Sequence, residues 1–213
     1  MKRVHRLRGK HTIRALTGMG PWVIIAMLVF SGCASQHRTT LPSAGLPEEI
    51  FTTPGTNAYS GARVGVFAFS APDYARDMGP IASQILCNEL QRTRAFREVI
   101  SHADIPDMTM GNLINIARIK RYDLIITGKL LHYFEGTYLE ASSVEEEMRV
   151  IRVRGGKPRL LWYAKASETV SPVSSKDFIF FQSQGEPAPS PATLMKKNAE
   201  KFCQMILKVP PRK

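Results

Sequence analysis

"YDLIITGKLLHYF", residues 122–134, carries eight large apolar or aromatic side chains in thirteen positions and no proline. A run of this kind reads as a long strand with buried character, the sort that lies inside a covered sheet. Working backwards, residues 112–119 group Leu113, Ile116 and Ala117 at helical spacing, and residues 96–100 give a shorter strand. Residues 81–93 place Ile81, Ala82, Ile85, Leu86 and Leu90 on one helical face. "RVGVFAF", residues 63–69, is again apolar on both sides, so the order is strand, helix, strand, helix, strand. Working forwards, residues 145–153 and 159–166 flank "RGGKP", whose two glycines suit the tight connection of a β-hairpin. The chain then reads as irregular through Pro191. Residues 194–207 form a closing amphipathic helix with Leu194, Met195, Ala199, Phe202 and Ile206 inward. The expected fold class is α/β: a single domain with a mixed β-sheet and helices packed on it.

The first 32 residues stand apart from that pattern. Residues 1–14 are basic and acid-free, and Trp22 to Phe30 is an unbroken apolar stretch of nine. This is the order of a secretory signal. A membrane span needs about 20 apolar residues, whereas residues 15–32 offer 18 diluted by Thr17, Gly18, Gly20, Pro21 and Ser31. Phe30-Ser31-Gly32-Cys33 resembles a bacterial lipobox, with small residues at the two positions before the cysteine. The resemblance implies that Cys33 takes a thioether-linked diacylglycerol, becomes the new N-terminus and is N-acylated. Ala34, where an aspartate would mark inner-membrane retention in enteric bacteria, favours the periplasmic face of the outer membrane over the inner membrane. An ordinary cleaved signal or an uncleaved anchor helix would instead leave Cys33 incidental.

Residues 36–61 are rich in Thr, Pro, Ser, Gly and Ala without strand or helix periodicity, and read as a linker. The expected organisation is signal 1–32, lipidated N-terminus and linker 33–61, α/β domain 62–208 and tail 209–213. A flexible chain of the 28 residues 34–61 spans on the order of 30 Å. The net charge of +11 falls unevenly: six cations precede Cys33, leaving 23 Lys and Arg against 18 Asp and Glu from there on. The domain is therefore mildly basic, without the stripe of arginine and aromatics that would suggest nucleic acid.

The order "VGVFAF", "LQRTRAFREVI", "ARIKRYDLIITGKL" and "RLLWYAKAS" is similar to the superfamily that contains the TolB N-terminal domain, the curli secretion lipoprotein CsgG and the lipoprotein activators of penicillin-binding proteins. The matching positions are Phe96, Val99 and Ile100; Asp123, Ile126 and Gly128, with Ile125 where the pattern has leucine; and Leu161 and Trp162. The resemblance spans roughly residues 63–166. Its hairpin turn has Gly155-Gly156-Lys157 in place of the frequent Asp-x-x-Thr-Gly. It implies a fold and an envelope role, and it names no reaction.

No Gly-x-Ser-x-Gly elbow, His-Glu-x-x-His helix, phosphate-binding loop or Cys-x-x-Cys pair occurs. His102 with Asp104 and Asp107 offers a weak metal or acid–base candidate, but ligand spacing and a fourth group are lacking. His132 reads as a surface or half-buried strand residue. Cys87 and Cys203 lie on separate helices, where free thiols are favoured over a bridge. The expectation is therefore a non-enzymatic protein without cofactor or metal. Two candidate partner surfaces follow. Arg149, Arg152, Arg154, Lys157 and Arg159 gather positive charge around the hairpin, suited to an anionic surface or acidic protein. Phe178, Phe180 and Phe181 in "DFIFF" either pack on the domain or bind a partner. The reading is a lipid-anchored envelope accessory or assembly factor that binds another envelope protein and does not bind nucleic acid. A subunit of an oligomeric CsgG-like pore is the alternative, and an envelope hydrolase is less favoured.

Overall fold

A computed structural model describes residues 47–52, 59–105, 108–174, 176–177, 182–183 and 185–208. Its elements are β1 (Glu49–Thr52), β2 (Arg63–Phe67), α1 (Met78–Thr93), β3 (Glu98–His102), α2 (Met110–Ile119), β4 (Leu124–Phe134), β5 (Ser142–Arg152), β6 (Arg159–Val170) and α3 (Pro191–Lys208). Two-residue strands β7 (Lys176–Asp177) and β8 (Gln182–Ser183) pair within the stretch read as irregular. The main sheet is mixed and six-stranded, in the order β1-β6-β5-β4-β2-β3. β2 runs parallel to β3 and β4, while β5, β6 and β1 continue the sheet antiparallel. The α/β expectation holds.

Side-chain alternation splits the sheet into two unequal faces. Val64, Val66, Leu124, Ile126, Met148, Val150, Trp162 and Ala164 face α1 and α3, forming the main core with Leu86, Leu90, Phe202 and Cys203. On the other side α2 covers a smaller core of Phe67, Leu113, Ala117, Tyr122, Ile125 and Ile151. This second face also carries a cross-strand row, Lys129, Glu147, Lys165 and Glu49, whose charges alternate over four strands. Opposite charges facing each other across strands are mutually stabilising.

Two local readings differ from the sequence expectation. β1 lies inside the stretch read as linker. It is four residues long and pairs only with β6, too short for its alternation to register among the surrounding Pro, Thr and Gly. Cys87, which a helical projection sets opposite α1's apolar stripe, is buried in the main core. The helix packs against both the sheet and α3, so it buries more than one stripe: Gly79, Ser83 and Cys87 as well as Ala82, Leu86 and Leu90.

Candidate functional site

Arg63 opens β2, and its backbone places it where three strands begin or end. Its N–H donates to Asp123 Oδ2 at 2.9 Å, and the Asp123 N–H donates back to the Arg63 carbonyl at 2.9 Å. The Asp123 carbonyl accepts the Val153 N–H at 3.0 Å, and Asp123 Oδ1 accepts from Arg154 Nη1 at 3.0 Å. One aspartate thus ties the starts of β2 and β4 to the end of β5. Burial opposes ionisation of Asp123, but the Arg63 N–H and the Arg154 guanidinium outweigh it and hold the carboxyl below its ordinary range.

The Arg63 guanidinium pairs with Glu98 at the start of β3, donates to the Lys120 carbonyl at 3.3 Å, and lies 5.7 Å from the Tyr122 ring centroid. Among the described residues, these contacts occupy the two acids that gather here, Glu98 and Asp123. Around them stand many more cations. Arg94 and Arg97 come from the connection between α1 and β3, and Arg118, Lys120 and Arg121 from the end of α2. Arg152 and Arg159 face each other across the base of the β5–β6 hairpin, with Arg154 and Lys157 in its turn.

Three hollows open at this end. One, of about 400 Å³, is lined by Tyr59, Ala62, Arg97, Asp123, Arg152 and Arg154. The second, of about 490 Å³, lies by Arg63, Arg118, Arg121, Tyr122 and Arg154, with Gly155 and Gly156 at its rim. A third, of about 580 Å³, includes Arg94, Arg97, Gln91 and Phe96. Gly155 and Gly156 have φ of 83° and 130°, a backbone that side-chain-bearing residues adopt at a cost.

The hairpin cations read from the sequence separate in space. Arg152, Arg154, Lys157 and Arg159 sit at this basic end. Arg149 stands mid-strand between Thr127 and Tyr163 on the polar face, with its guanidinium 2.8 Å from Glu147 Oε1. Arg63, Arg97, Arg118 and Arg121 were missed because they come from three distant segments, and only the strand order brings them beside the hairpin. Cys33, Phe178, Phe180 and Phe181 lie outside the described residues.

His102 closes β3 with its side chain turned inward. Its Nε2 is 2.8 Å from the Tyr122 hydroxyl, and its ring stacks on Phe67 at 5.1 Å. Burial and then Lys120 push its pKa down, with Asp104 opposing. Asp104 is exposed on the following turn, Asp107 lies outside the described residues, and no group of three potential metal ligands occurs among the described residues. His132 is exposed, opposite Glu145. Among the described residues no helix is long and apolar enough to cross a membrane.

The acidic triplet 145–147 resolves by strand alternation. Glu145 pairs with Lys165 at 2.6 Å and Glu147 faces Arg149, both on the polar face. Glu146 points into the main core, where it accepts from Asn198 Nδ2 on α3 at 2.8 Å. Burial raises its pKa to about 8, and the Asn198 bond only partly offsets this. The carboxyl is therefore largely protonated at neutral pH.

No family model matches the chain, and no curated protein matches it. Among solved structures, two of the PelC dodecamer from Paraburkholderia phytofirmans share its fold. Both are 16% identical, with TM-scores of 0.53 and 0.52. The alignments cover 75% and 78% of this chain, and 98% and 99% of the other. Lipoprotein GNA1162 from Neisseria meningitidis aligns at a TM-score of 0.38 and 15% identity, covering 68% of this chain and 98% of that one. At these identities the likeness to PelC is one of fold.

Proposed function

We propose that this chain is a cell-envelope lipoprotein, anchored through lipid at Cys33, that works without catalysis as an accessory or assembly factor by binding another envelope protein. The observation that carries the reading is Phe30-Ser31-Gly32-Cys33, placed directly after a basic start and a nine-residue apolar stretch. Two or more acyl chains give stable anchoring where one gives only marginal binding. A tethered domain then meets its partner at an effective concentration in the millimolar range, so modest contacts suffice. Ala34 after the cysteine favours the periplasmic face of the outer membrane.

The fold supports the TolB N-terminal and CsgG-like resemblance as part of this proposal. Asp123 and Gly128, two of its matching positions, have structural work of their own: Asp123 ties three strands together, and a Cβ at Gly128 would come within 2.7 Å of the Phe69 ring. Self-association also belongs to the proposal, because PelC, which has this fold, is a dodecamer and the sheet here ends in two different edges, β1 and β3. A contact between unlike edges is head-to-tail, the kind that closes into rings. The membrane-pore alternative is disfavoured by β5, whose Glu146 is held by α3 inside the core. A hydrolase built on His102 is disfavoured by its inward, Tyr122-bonded ring.

The test is crosslinking of the tagged chain in living cells, with mass spectrometry of the captured proteins and Cys33→Ala as the localisation control. The reading predicts a membrane-bound wild type that recovers one envelope assembly, and a variant released from the membrane. A soluble wild type, or a membrane-bound one that captures nothing, would overturn it.

A further inference from the structure

The basic end has three properties that its own folding does not require. First, both helices that finish there end on an arginine in the left-handed region, Arg94 at φ 51° after α1 and Arg121 at φ 57° after α2. Helix ends of this kind are ordinarily glycine, which takes that backbone without steric cost. Two arginines held where glycine is cheaper point to use of the side chains. Second, Arg152 is half-buried in the 400 Å³ hollow, and its Nε is shielded from solvent with no partner among the described residues. Third, Glu98 and Asp123 are already engaged by Arg63 and Arg154, with Arg97 acting on both at longer range, leaving Arg118, Arg121 and Arg152 without an acidic partner among the described residues. Cations at helix C-termini also complement the helix dipole, but that explains neither the strained backbone nor the unmet donor of Arg152.

We propose that this end of the sheet binds a carboxylate-rich peptide segment of the partner protein, with acidic side chains received in the hollows on either side of Arg154. This rests on the protein-docking reading and gives it a surface and a chemistry. Arginine offers carboxylates paired, planar donors. The cations extend across the ends of five adjacent strands, about 19 Å at the usual strand spacing, which matches an extended peptide of about six residues.

The path of the chain argues for a peptide over the lipid headgroups of the anchoring leaflet. β1 runs antiparallel to β6, with Glu49 opposite Lys165 and Thr52 opposite Trp162. The chain therefore enters the domain heading towards the basic end, from the opposite side. Glu48 bonds to Ser167, eight residues along β6 from Arg159, or about 26 Å of strand. The described chain thus enters the domain at Glu48, that length away from the basic end.

The experiment uses the full-length chain in detergent and a fluorescent hexaglutamate peptide, read by anisotropy against a hexaglutamine control. Wild type is expected to bind hexaglutamate selectively and to lose affinity as salt rises. Arg121→Gly and Arg152→Ala should each weaken binding about tenfold, the scale of one lost charge-assisted contact. Arg121→Gly should melt no lower than wild type, and Arg76→Ala, remote on the surface, should bind normally. Equal binding of both peptides, or full affinity in Arg121→Gly and Arg152→Ala, would overturn the proposal. So would preference for inorganic phosphate, a polyuronate or anionic vesicles over the peptide. If the peptide fails while crosslinking in cells still recovers an envelope assembly, this site is discarded and the docking reading stands on another surface. If crosslinking recovers nothing, the docking reading itself falls.

Discussion

Glu146 is the residue whose environment departs most from its sequence context. In the unfolded chain it ionises near 4.5, whereas in the folded core its pKa is about 8. The folded state holds its proton more tightly, so stability is fullest below pH 4.5 and falls as pH rises through 8. The slope is on the order of 1.4 kcal/mol per pH unit within that window. Glu146→Gln keeps a partner for Asn198 and does not titrate, so its Tm should exceed that of wild type by a margin that grows from pH 5 to pH 8. A margin independent of pH would mean that Glu146 is ionised in the core. Burial also raises the thiol pKa of Cys87, and that of Cys203 to about 12. Both are free. Maleimide should therefore label neither in the native domain and both in denaturant, since the thiolate is the reactive form. The period-2 pattern of a strand makes the inward turn of Glu146 legible, once residues 142–152 are read as a strand and not as a charge run. Its partner Asn198 is 52 positions away, and nothing local points to it.

Among the elements, β4 shows how close packing constrains a single position. A Cβ at Gly128 would meet the Glu147 carbonyl oxygen at 2.3 Å and the Phe69 ring at 2.7 Å. Backbone on one side and a buried ring on the other leave little room to relax. Gly128→Ala should cost about 1–3 kcal/mol, as overpacked cores do, read as a lower urea midpoint with unchanged slope. An unshifted midpoint would show that Phe69 moves freely. The strands and helices of the domain were legible because their apolar periods are long: β4, the β5–β6 hairpin and α3 all fall close to where their patterns place them. β1 was not legible, since its four residues gain their strand character from hydrogen bonds to β6 and not from their own alternation. The second buried stripe of α1 was hidden for a similar reason. Cys87 is interior because this stripe also meets the sheet, where the thiol bonds Ser101 of β3.

At the scale of the molecule, the layered fold leaves the chain polar from end to end. Arginines from the two helix ends, the start of β2 and the hairpin gather at one end of the sheet, and β1 runs towards that end from the other. The hairpin half of that cluster was legible as a local run of charge. The remainder was not, because it depends on strand order. Under the proposed attachment at Cys33, the basic end is the surface offered to a partner. The most direct measurement is the mass of the N-terminal peptide released from membrane-extracted protein. The account predicts a chain that begins at Cys33 and carries a diacylglycerol thioether and an N-acyl group. An unmodified Cys33, inside an uncleaved chain or following a conventional cleavage, would contradict it.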